Sequence, residues 1–192
     1  MDAHDAALLG TQLAMGFALA ACVGLRTFLP LLAAGALARM DCLALGPHFE
    51  WMASTPALVV FGSAAVFEIL ADKVPGLDHA LHAAEAFAKP VAATLLAASL
   101  LTELDPTTAV VLGLIAGGTA AGAVQALRGT ARVASTAFTG GLGNPVLSIF
   151  DDAAAIVGII LAFVVPVLSA ILVIVAAVVL VRFLLRSRNA NA

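Results

Sequence analysis

A chain of 192 residues with 9 Lys and Arg against 12 Asp and Glu carries a formal charge of −3, and 62% of it is hydrophobic while only 11% is charged. Soluble domains average about 25% charged. With a mean hydropathy of +1.11, this sequence has too little polar surface to cover a water-soluble domain and predicts an integral membrane protein. The small net charge, and the absence of a basic patch interleaved with aromatics, exclude nucleic-acid binding. Ala/Leu/Val-rich runs without strict alternation exclude a membrane β-barrel.

In chain order, "MDAHDAALLG" is acidic where a secretory leader is basic, so the first apolar run, 7–25, is expected to be a retained span. Gly16, Ala20 and Gly24 recur there every four residues, a groove for close helix packing. "TFLPLLAAGALARM" stays apolar but carries Pro30, which predicts a broken or re-entrant segment. Cys22 in the first run and Cys42 in the following loop give neither a ligand spacing nor a disulfide framework. The second span, 55–72, closes on "FEILADKVPGLDH": Glu68 and Asp72, four apart, share a helix face, and Pro75-Gly76 ends the span after Lys73. "LDHALHAAEAFAK" reads as an interfacial lead-in with His79, His82 and Glu85 towards water, ahead of a short third span, 89–102.

The fourth span, 107–127, repeats the small-residue groove at Gly113, Gly117 and Ala121. After it, "GTARVASTAFTGGLGNP" predicts a second broken segment, in which Asn144 caps the next helix and Pro145 takes its first position. A helix start beside "TGGLG" suits an anion, although a plain tight turn accounts for it more simply. The fifth span, 146–164, opens with Asp151 and Asp152, and Pro166 marks the turn into a sixth, 167–185. The expectation is an all-α polytopic membrane helix bundle of six spans forming one transmembrane domain, 1–192.

Orientation follows from Lys and Arg. With the first residues inside, Lys73, Lys89, Arg128, Arg132, Arg182, Arg186 and Arg188 are cytoplasmic, Arg39 is outside and Arg26 is undecided. Both termini are then expected in the cytoplasm. Residues 14–26 and 116–128 align without gaps, both ending in Leu-Arg, which suggests repeat halves 7–102 and 107–186. Three spans per half make that a 3+3 inverted repeat, a plan used by transporters.

Each intramembrane charge costs about 2.5–3.5 kcal/mol near the bilayer centre and normally faces the bundle interior or a cavity. Lys73 and Arg132 lie where they can snorkel to the interface. Glu68 and Asp151 lie deeper and suit either a buried pair with Arg128 or a polar pathway. Glu68, Asp72 and Asp151 are the carboxylates that could hold a cation.

"GLRTFLPLL" (24–32), "EILADKVPGLDH" (68–79) and "TGGLGNPVLSIFDD" (139–152) together make the chain resemble a family of small bacterial inner-membrane proteins grouped as a domain of unknown function. The resemblance implies no established activity. It does imply an inner-membrane location and one site made of Arg26, Glu68, Asp72, Lys73, Asp78, Asn144, Asp151 and Asp152, to which the layer argument adds Arg128. The expected function is a small transporter or channel for an ion or small polar solute, with the lipid bilayer as its surroundings and a homo-oligomer as a compatible assembly. The alternatives are a membrane enzyme acting on a lipid phosphate headgroup through a divalent metal and a structural accessory subunit. No Ser/His or Cys/His nucleophile arrangement favours catalysis, and beyond a bound cation no cofactor is implied.

Overall fold

The computed structural model describes residues 3–72, 77–140, 142–166, 168–175, 178–179 and 182, and the backbone alone for 3 and 77–83. Helices α1 (Ala3–Leu25), α2 (Phe28–Arg39), α3 (Thr55–Ala71), α4 (Leu77–Ser99), α5 (Pro106–Thr139) and α6 (Asn144–Val164), with a 3-10 helix at Pro47–Ala53, make an all-helical bundle with no strand among the described residues. Among the described residues, three helices are long and apolar enough to cross a membrane: α1 from His4, α5 and α6. A fourth qualifies if the 3-10 helix and α3, bent by 62°, count as one broken span. These apolar helices mark a membrane protein.

Local sequence sets the ends of the elements. Ser54 caps α3, its hydroxyl accepting from the Ala57 amide, and Pro56 occupies the first turn, where its missing N–H is not needed. Asp105 caps α5 the same way. Hydrogen bonds from Thr108 and Thr107 hold its carboxyl below the usual aspartate range. After Val164 the backbone leaves the helix at Val165 (φ −138°, ψ 72°), so the expected break beside Pro166 is present.

The glycine grooves do what their spacing implies. α1 is central and touches α2, α4, α5 and α6. A Cβ on Gly16 would lie 3.2 Å from the Ala97 carbonyl oxygen, one on Gly113 2.7 Å from that of Thr94, and one on Gly24 2.7 Å from that of Ala121. Backbones this close are possible only without side chains. Leu19, Val23, Leu96 and Ala93 are fully buried among them.

Chain direction differs from the expected alternation. The side chain of Gln12, early in α1, donates to Thr102 just beyond α4, while Arg26 at the other end of α1 meets Asp72 at the end of α3. Thus α1 and α3 run the same way, because α2 carries the chain back between them: α2 starts beside Glu68, and Arg39 at its end bonds Ala53 and Thr55 before α3. At 12 residues, or about 18 Å, α2 is too short to span.

The inverted repeat is overturned by the same geometry. An inverted repeat would set its equivalent residues Arg26 and Arg128 near opposite faces, yet both bind Asp72 Oδ2, at 2.8 and 2.6 Å. Gly24 also packs on Ala121 and Val124, so α1 and α5 run in parallel. The second segment breaks later than expected. Residues 128–139 continue α5 because nothing between Gly129 and Thr139 breaks a helix, and Thr130 and Thr139 return their hydroxyls to the carbonyls of Ala126 and Ser135; the helix ends only at Gly140, with φ 62°. The first broken segment is real: the chain bends at Arg26-Thr27 before α2. Asn144 is the first residue of α6 rather than its cap. Gly143 precedes it, and no side chain caps that end.

Close packing of the grooves makes a specific contrast. Gly24→Ala sets a methyl against the Ala121 backbone and should destabilise by about 1–3 kcal/mol. At Gly118 the nearest atom is Leu114 Cδ1, 3.9 Å away, so Gly118→Ala should be neutral or stabilising by up to about 1 kcal/mol. Melting midpoints of detergent-purified variants decide it. Equal shifts would disprove the packing argument.

Candidate functional site

The site begins where α1 stops. Arg26 has no exposed surface. Its Nη1 donates to Asp72 Oδ2 at 2.8 Å, its Nη2 to Ser148 Oγ at 3.0 Å, and its Nε lies 2.6 Å from Asp152 Oδ1. The break that points Arg26 inward leaves two amides of the α2 start without helical partners. Glu68 takes both, Oε1 accepting from Thr27 at 2.7 Å and Oε2 from Phe28 at 3.2 Å. One helical turn on, Asp72 caps α3 and faces the arginines.

Arg128 and Arg132, one turn apart on α5, complete the layer. Arg128 donates from Nη2 to Asp72 at 2.6 Å, from Nε to Asp151 at 2.7 Å and from Nη1 to Glu85 at 3.2 Å. Arg132 forks onto Asp72 at 2.9 and 3.3 Å and reaches Asp151 at 3.3 Å. Lys89 donates to Glu85 at 2.7 Å, and Ser148 donates to Asp72 at 3.2 Å. Asp72 therefore accepts from three guanidinium groups and a hydroxyl, with its side chain wholly buried. Bonds between charged groups are the strong ones, and burial makes each depend on its partner.

Beside the layer lies an open cleft of about 610 Å³ whose walls include Glu85, Lys89, Gln125, Arg128, Arg132 and Asn144. Its four charged residues are each at most 9% exposed. The Asn144 Nδ2 makes a long 3.3 Å bond to Thr136, and its Oδ1 is buried without a hydrogen-bond partner among the described residues.

Of the residues singled out in the sequence, Arg26, Asp72, Arg128, Asp151 and Asp152 do come together. Glu68 sits next to them but is turned to backbone amides, and Asn144 lies at the cleft instead of in the layer. Lys73 and the side chain of Asp78 lie outside the described residues, as do those of His79 and His82. Glu85 is a correction. Expected towards water, it is 2% exposed, because Lys89 and Arg128 bind it inside the bundle. Arg132 is likewise buried in the layer, not snorkelling. Sequence reasoning passed over Lys89, Glu85 and Ser148. The i,i+4 spacings of Glu85 with Lys89 and of Arg128 with Arg132 were the available signal. Among the described residues no group of three or more His, Cys, Asp or Glu is placed to hold a metal. Glu68, Asp72 and Asp151 turn to amides and guanidinium groups instead of a common point.

The layer unites the three stretches that gave the sequence its resemblance: Arg26 from the first, Glu68 and Asp72 from the second, Ser148, Asp151 and Asp152 from the third. The chain belongs to the DUF4126 family, a domain of unknown function, which matches residues 13–186. No curated protein and no solved structure matches it.

In this DUF4126 chain Asp72 is the residue whose neutralisation should cost most. Asp72→Asn leaves three buried guanidinium groups short of a counter-charge and should cost about 3–5 kcal/mol, seen as lost membrane expression and a lowered melting midpoint. Glu103→Gln, on an exposed loop, should stay within about 0.5 kcal/mol of the parent. Adding Arg132→Gln to Asp72→Asn should recover part of the loss. An Asp72→Asn protein as stable as the parent would remove the layer from the account of the fold.

Proposed function

We propose that this membrane protein binds and moves an ion or small polar solute, and that the cleft beside the arginine–carboxylate layer is the point of entry. The cleft is the observation that carries the reading. A recess that sets buried Lys89, Arg128, Arg132 and Glu85 beside apolar Val133 and Ala137 keeps such charges within a helix bundle only where protein, water or a guest satisfies them. An accessory role needs the ion pairs but not the cleft.

Parallel α1, α3 and α5 also suggest an orientation. The layer end gathers Arg26, Lys89, Arg128 and Arg132, and in sequence Lys73 follows directly, whereas Arg39 lies at the opposite end. By the positive-inside rule the layer end faces the cytoplasm. The start of α1 then faces the other side, in place of the cytoplasmic start expected from simple alternation. Single cysteines in a Cys22→Ala, Cys42→Ala background, at positions 5 and 140, should react with an impermeant thiol reagent from opposite sides. Labelling both from one side would rule out this arrangement.

Transport itself is tested in proteoliposomes with a panel of anions and cations. Lys89→Gln should keep the protein folded, since Glu85 retains Arg128, yet reduce flux tenfold or more. Arg39→Gln, at the far end, should leave it unchanged. A Lys89→Gln protein with parental flux, or no flux for any solute, would sink the reading.

A further inference from the structure

The order of charge around the cleft narrows the choice of solute, and this step rests on the reading of the cleft as a solute site. We infer that the guest is an anion of the phosphate or carboxylate class, held by Lys89, Arg128 and Arg132 and oriented by the Gln125 and Asn144 amides.

Among the described residues, three of the four charged side chains walling the cleft are cationic. The carboxylates that balance them lie elsewhere: Asp72 is wholly buried, and neither it nor Asp151 nor Asp152 lines the recess. The one carboxylate in the wall among the described residues, Glu85, already accepts from Lys89 at 2.7 Å and Arg128 at 3.2 Å. A cation entering here meets ammonium and guanidinium groups before any uncommitted carboxylate. An anion meets three cationic side chains, and rings of Arg and Lys select anions in pores for the same reason.

The neutral groups agree. Gln125 and Asn144 supply amide donors, and Asn144 now spends its Nδ2 on a 3.3 Å bond to Thr136. Guanidinium groups pair bidentately with two oxygens of a carboxylate or a phosphate. Asp151, 15% exposed, bonds Arg128 and Arg132 at 2.7 and 3.3 Å. From outside the recess it therefore competes with a guest for the same two guanidinium groups. A phosphate group can arrive free or as a lipid headgroup, since basic recesses between membrane helices bind both.

The test reads binding, not flux. Full-length protein in nanodiscs of pure phosphatidylcholine is titrated with sodium phosphate and with sodium acetate against sodium chloride at fixed ionic strength, and its melting midpoint is followed. A second set of nanodiscs contains phosphatidylglycerol. A saturable rise with either free anion in pure phosphatidylcholine supports a soluble guest, and a rise only with phosphatidylglycerol supports a headgroup. In either arm Lys89→Gln should weaken the response about tenfold. Asn144→Ala, which lies outside the ion pairs, should weaken it severalfold without altering the unliganded midpoint. Asp151→Asn should strengthen it. No saturable response to either anion or to phosphatidylglycerol, or equal responses from parent, Lys89→Gln and Asn144→Ala, overturns the inference. Anion binding without flux keeps this inference and removes transport. Cation flux without anion binding does the reverse.

Discussion

Asp72 is the fixed point of the molecule. Three arginines from distant parts of the chain converge on it, Arg26 at the end of α1 and Arg128 and Arg132 on α5. Burying one carboxylate and three guanidinium groups is unfavourable unless every partner is in place, so the contact dictates where each helix must stand. Helix α3 has to end at Asp72, α5 has to pass with one face towards it, and α1 has to stop at Leu25 so that Arg26 can turn inward. Stopping α1 exposes amides, and Glu68 on the same face of α3 takes them. The pair that the sequence presents as two equivalent acids thus divides its work. Glu68 serves the backbone, and Asp72 serves the side chains.

The same contact fixes direction. An alternating chain would put the ends of α1 and α3 on opposite sides, but Arg26 and Asp72 touch. Helix α2 resolves the conflict, returning the chain in 12 residues with Gly35 against the Met52 backbone. Such a half-length helix is stable at depth because its start is capped by Glu68 and one face is buried, at Pro30, Leu31, Ala34 and Gly35.

What was legible in the sequence follows the range of the interactions concerned. Helix content, the glycine grooves and the break around Arg26 and Pro30 depend on neighbours within a few residues, and all are present. The gathering of Asp72, Arg128, Asp151 and Asp152 was legible because charges in so apolar a chain have few places to go, whereas Arg26, left undecided by the charge count, entered only through the resemblance. Direction was not legible. Hydropathy counts only segments long enough to cross, and α2 is not, so its reversal left no trace in the count and carried the inverted repeat into error. Glu85 misled for a related reason. Beside two histidines in an amphipathic stretch it reads as a water-facing residue, and only the tertiary partner Arg128 reveals that it points inward.

One feature of α5 ties its packing to its charges. The turn Gly113–Gly117 is π-helical. A π turn holds one residue more than an α turn, so everything beyond it is rotated by about 100° relative to an unbroken α-helix. Before and within the turn, Gly113 and Gly117 press on the Thr94 and Ala93 carbonyls of α4. Beyond it, Arg128 and Arg132 point at Asp72. A continuous α-helix holding the glycines on α4 would swing both arginines about 100° away from the carboxylate. The extra residue therefore lets one helix satisfy two registers, small residues against α4 and guanidinium groups in the layer. It sits where the glycines already allow the backbone to deform.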